Sequence, residues 1–155
     1  MDGNRETTGN EALSRDVQAV LRNLASRLAY LRLYQAASHA AFEREVPPLL
    51  REFVEEEREI ISLLAGQLRQ LSQPVPEEVR DDRLVHQFGA RRGTLDRLAF
   101  VRQGLAMAAE WYEERAGDEG HSPAVRALFT ELGATQRRRM ARLDALVRRL
   151  HGEKE

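Results

Sequence analysis

The sequence predicts an all-α, four-helix bundle of two helical hairpins joined by a long crossover. Apolar residues recur at intervals of three and four through four long stretches, the mark of one buried face on each of four helices. The connections are short corners except for one breaker-rich stretch near the middle. The two halves also look like copies: Tyr34-Gln-Ala-Ala matches Tyr112-Glu-Glu-Arg-Ala at an offset of 78, and residues 48–53 match 127–132 at an offset of 79.

Residues 1–10 read as a loose polar tail, and 11–151 as one bundle domain: hairpin 11–71, crossover 72–93, hairpin 94–151. The first helix is expected from about Glu11 to Ala41, with Val17, Val20, Leu21, Leu24, Leu28 and Leu31 on its inner face. Pro47 and Pro48 suit the first turn of the second helix, where a missing N–H costs little. Its stripe runs from Val46 through Leu49, Leu50 and Phe53 to Ile60, Ile61, Leu64, Leu68 and Leu71. Ser72, Pro74, Pro76, Asp81, Asp82, Gly89 and Gly93 mark the crossover, with room for a short helical turn between Glu77 and Phe88. Thr94 can cap the third helix, which carries Leu95, Leu98, Leu105, Ala109 and Tyr112. Ser122 followed by Pro123 is a strong start signal for the fourth, whose stripe includes Val125, Phe129, Leu132, Met140, Leu143 and Leu150.

Composition narrows the function classes. With 155 residues, 42% hydrophobic and 32% charged, the chain suits one amphipathic helical domain rather than disorder. A formal net charge of −1 gives no global field toward nucleic acid or an anionic membrane. The absence of cysteine excludes disulfides, thiol nucleophiles and paired-cysteine metal sites. The N-terminus has no apolar run of signal-peptide type, so a cytoplasmic location is the default expectation.

Four polar residues interrupt the apolar stripes. Arg27 lies between Leu24 and Leu31, Glu57 between Phe53 and Ile60, and Gln136 and Arg139 between Leu132 and Leu143. All fall near mid-helix. Either each lies at a stripe edge and snorkels to water, or the four share a polar layer inside the bundle.

Residues 34–68 and 106–146 resemble the two hairpins of rubrerythrins and the wider ferritin-like superfamily, and the likeness extends over nearly all of residues 15–150. It rests on helix lengths, the duplicated hairpin and a tyrosine in the first helix of each half. The resemblance implies a ferritin-like four-helix bundle. In that family each hairpin supplies a glutamate one heptad before the tyrosine and a Glu-x-x-His on its second helix, and the six ligands hold two irons. By position, those ligands become Arg27, Leu105, Glu57 with Ile60, and Gln136 with Arg139. Only Glu57 remains of the six. The expectation is therefore no dinuclear metal, no cofactor and no catalytic residue. Arg27, Glu57, Gln136 and Arg139 would form a polar layer where metal ligands would stand.

Other features read as ordinary surface. Glu55, Glu56 and Glu59 form an acidic run on a solvated face. Arg137, Arg138, Arg142, Arg148 and Arg149 make the last helix basic, but acidic neighbours argue against nucleic acid. His39, His86, His121 and His151 are scattered loop or surface residues, with no carboxylate at ligand spacing. Trp111 and Phe100 fall outside the main stripes and suggest a homodimer surface. The leading expectation is a structural or interaction module, a homodimer with a further protein partner unidentified and no membrane association. The alternatives are a rubrerythrin-like oxidoreductase or iron-handling protein with an atypical metal site at Glu55 to Glu59, and a nucleic-acid-associated helical module.

Overall fold

The computed structural model describes residues 2–40, 44–76 and 81–154, with side chains for 9–40, 44–76 and 81–152. Five helices follow one another: α1 (Asp2–Ser38), α2 (Val46–Gln70), α3 (Arg83–Ala90), α4 (Thr94–Ala116) and α5 (Pro123–Lys154). No strand occurs among the described residues. Helices α1 and α2 form one hairpin and α4 and α5 the other, while α3 packs on α1 and α4.

Helix boundaries follow local chemistry, with two departures from expectation. Helix α1 starts at Asp2, so the stretch read as a loose tail is helical. No proline precedes Pro47, and extending an existing helix gains one hydrogen bond per residue fixed. The helix closes at Ser38 with short i to i+3 bonds from His39 to Ala36 and from Ala40 to Ala37; its expected end near Ala41 lies outside the described residues. The second departure is at α4. Gly93, at φ 83°, holds the turn, Thr94 is already helical, and no side chain caps the helix.

Elsewhere the expected signals act as read. Proline occupies the first turn of α2, and Ser72 (φ 58°) turns the chain so that the Gln73 N–H bonds to the Leu68 carbonyl. Ser122 Oγ accepts the Val125 N–H at 3.3 Å, with Pro123 opening α5. In the crossover, α3 covers Arg83–Ala90; residues 77–80, where the short helical turn was expected to begin, lie outside the described residues.

The α4–α5 corner is tied to the first hairpin. His121, expected on the surface, is buried: its Nδ1–H donates to Asp16 Oδ1 at 2.9 Å, and the Ser122 N–H reaches the same oxygen at 3.2 Å. Asp16 comes from 105 residues away, which no local pattern announces. Asp16→Ala leaves both donors without an acceptor in a buried place. A loss of about 1–3 kcal/mol is expected in urea denaturation.

The core divides into two apolar halves. One gathers Tyr34, Leu50, Phe53, Leu98, Leu105 and Leu143. The other gathers Leu24, Ile60, Leu64, Tyr112, Phe129 and Leu132. Trp111 packs edge-on against Tyr112 and Phe129, with the Arg115 guanidinium 4.2 Å from its ring centre. Phe100 packs on Phe88 of α3, 6.5 Å between centroids, with Arg91 over its ring. Both rings, expected to mark a dimer surface, pack against the chain's own aromatic residues and remain half-buried.

Candidate functional site

Between the two halves, α1, α2 and α5 bring Arg27, Glu57, Gln136 and Arg139 into the interior, each no more than 1% exposed. The heptad spacing that places Phe53 and Ile60 in opposite halves leaves Glu57 facing the axis between them. Glu57 Oε1 accepts from Arg27 Nη1 at 2.8 Å and from Arg139 Nη1 at 2.5 Å. One carboxylate oxygen therefore serves two guanidinium groups from two different helices. Gln136 lies one turn before Arg139, and its amide has no protein partner.

The pairing continues outward. Arg139 Nε donates to Glu56 Oε2 at 2.8 Å, Arg142 Nη1 donates to Glu56 Oε1 at 2.5 Å, and Arg142 also pairs with Glu52. The result is an alternating chain, Glu52–Arg142–Glu56–Arg139–Glu57–Arg27, from solvent to the bundle axis. Aromatic faces line its inner end: the Arg27 guanidinium carbon lies 4.6 Å from the Tyr30 centroid, and that of Arg139 lies 5.2 Å from Phe53. Glu56 and Arg142, expected on solvated faces, are part of this system. Their signal was weak, since each lies at the edge of its helix's apolar face.

Electrostatics agree with the geometry. Burial is the largest effect on Arg27 and opposes its charge, yet Glu57 together with its other neighbours holds its pKa above the ordinary arginine value. For Arg139 burial is again the largest effect and works against the charge, but Glu57 and its other neighbours, the hydrogen-bonded Glu56 among them, together hold its pKa above the ordinary value. The largest effect on Glu56 is partial burial, which raises its pKa, but hydrogen bonds from Arg139 and Arg142 hold it below the usual range. Burial pushes the Tyr34 phenol well up.

A carboxylate with a depressed folded-state pKa adds stability above its unfolded pKa and loses it as pH falls through the folded value. Stability should thus decline below about pH 4 as Glu56 takes up a proton. Glu56→Gln should flatten that decline in a urea-midpoint series from neutral to acid pH.

The remaining candidates are dispersed. Glu55 pairs with Arg58 one turn on, Glu56 turns inward, and Glu59 is exposed, so the acidic run does not converge. Arg137 pairs with Glu113 and Arg138 with Thr135. His39, His86 and His151 are exposed.

The chemistry of this layer does not fit a di-iron centre. Ile60 and Leu105 offer no lone pair, Arg27 and Arg139 carry positive charge, and the one carboxylate at the axis already accepts from both arginines. A dication there would stand beside two desolvated guanidinium groups. Among the described residues, no three His, Cys, Asp or Glu groups are placed to hold a metal ion. No helix among them is long and apolar enough to cross a membrane.

No protein-family model and no curated protein sequence matches the chain. A solved structure does: a ferritin-like, diiron-carboxylate protein from Bacillus anthracis strain Ames superposes with a TM-score of 0.70. The match covers 87% of this chain and 96% of that one, at 17% sequence identity. At that identity the likeness concerns the backbone, and the chain has the ferritin-like helical-bundle fold.

Proposed function

We propose that the chain is a non-catalytic structural or interaction module: a ferritin-like bundle in which a guanidinium–carboxylate layer stands where a di-iron centre would be. The observation that carries this reading is the sharing of Glu57 Oε1 by Arg27 and Arg139 at the bundle axis. The arginines supply fixed positive charge between the helices, a part that bound cations would otherwise play. Fixed pairing of this kind orders the helix register without a redox centre.

The test is reconstitution with ferrous iron without oxygen, followed by measurement of oxygen and peroxide consumption. Turnover should equal that of the same iron in buffer. Faster, iron-dependent turnover that disappears in Glu57→Ala would establish the oxidoreductase alternative instead.

A nucleic-acid role has less support, because Arg137 and Arg142 are engaged with acidic partners inside the fold. Self-association remains part of the proposal, although Trp111 and Phe100 no longer argue for it. Sedimentation velocity across micromolar concentrations decides it: a dimer is expected, and a monomer throughout would leave binding to a different protein as the module's role.

A further inference from the structure

We infer that the cleft between α1 and α4 is a binding site for a small monocarboxylate with an apolar body. The cleft has a volume of about 170 Å³. That is below the roughly 300–1,000 Å³ of sites for drug-sized molecules, so a ligand of modest size is implied.

Its polar lining favours an anion. Arg27 and Asn23, both at least 95% buried, lie at its inner end. Asn23 Oδ1 is occupied by the Tyr112 hydroxyl at 2.6 Å, which leaves the amide N–H groups of Asn23 as donors. Arg27 uses Nη1 on Glu57, and its buried Nε has no hydrogen-bond partner among the described residues. Arg22 and the Ser26 hydroxyl add further donors, and no acidic residue lines the cleft.

The ion-pair chain is neutral as a whole, with three glutamates and three arginines, but Arg27 stands at its inner end. The fully buried trio holds two guanidinium groups and one carboxylate. Arg139 has a second anion in Glu56, whereas Arg27 has only its share of Glu57. A carboxylate beside Arg27 would give its unshared donors a charged acceptor in a desolvated place, where such hydrogen bonds are strong.

The walls supply the apolar half of the specificity. Tyr30, Trp111 and Met107 flank the cleft, and Met107 is 61% exposed. Tyr30 is held against α4 by Gly104, where an added Cβ would lie 2.8 Å from the tyrosine ring and hydroxyl. The ring therefore forms a fixed wall, and Met107 a pliable one.

Trp111 is the only tryptophan, so its emission reports occupancy directly. Cyclohexanecarboxylate, which does not absorb where tryptophan is excited, should give a saturable change in that emission. Cyclohexanemethanol, the neutral counterpart, should bind at least about tenfold more weakly. Chloride should give no saturable change. Ala108→Leu, which fills the cleft from α4, should weaken the acid at least about tenfold. Met107→Glu places a carboxylate at the exposed mouth without touching the core, and should weaken it by about three- to tenfold. The inference is overturned by equal binding of acid and alcohol, by saturable binding of chloride, by no saturable change with the acid, or by unchanged affinity in the folded Met107→Glu protein.

Discussion

Glu57→Ala is expected to lower stability by about 3–5 kcal/mol, the largest loss for any single polar substitution in the chain. The carboxylate is fully buried, and among the described residues it is the only anion bonded to Arg27 and one of two bonded to Arg139. Removing it strands Arg27 in the interior and leaves Arg139 to Glu56 alone. At roughly 2–4 °C per kcal/mol for a domain of this size, the melting temperature should fall by about 6–20 °C. Replacing Arg27, Glu57 and Arg139 together with Met, Leu and Met should cost far less, because no fully buried ion then remains and Glu56 keeps Arg142. An exposed ion pair is worth roughly 0–1 kcal/mol. A Glu57→Ala shift of that small size would mean that the layer is solvated.

Phe129→Ala should cost a comparable amount, about 3–5 kcal/mol, by a different mechanism. Phe129 is fully buried and sits at the centre of a ring cluster: Trp111 at 5.3 Å, Tyr112 at 5.7 Å and His121 at 6.2 Å between centroids. Truncation opens a cavity among rigid rings that cannot collapse into it, and it loosens the His121 corner that Asp16 holds. Val101→Ala, in the other apolar half, should add to this loss independently within about 0.5 kcal/mol, since the polar layer separates the two sites. Urea denaturation of the two single variants and the double variant measures both values.

The hairpins were legible in the sequence because their apolar periods are long and their corners carry proline, serine and glycine at the right offsets. Burial of Arg27, Glu57, Gln136 and Arg139 was one of two readings open in the sequence, because each lies three or four residues from apolar neighbours on one helix face. What periodicity cannot give is pairing across helices. Glu56 and Glu57 are neighbours, yet one reaches Arg27 and the other Arg142, and only the approach of α2 to α5 decides which goes where. Asp16 and His121 are a more distant case, each unremarkable in its own segment. The start of α1 was misplaced because polar composition suggested a tail, whereas a helix with no breaker ahead of it simply continues. Trp111 and Phe100 read as surplus apolar surface because Phe129 and α3, which pack on them, come from other parts of the chain.

On the proposed reading, this bundle is held at its middle by its own ion pairs rather than by metal. Binding to the folded state alone raises stability by mass action, so a resident metal would reveal itself in the melting temperature. The measurement is thermal unfolding of the purified chain, without oxygen, in excess chelator and in excess ferrous iron, alongside the iron bound per chain. The same melting temperature is expected in both, with no stoichiometric iron in the bundle core. Two irons per chain with a raised melting temperature, both lost in Glu57→Ala, would contradict it.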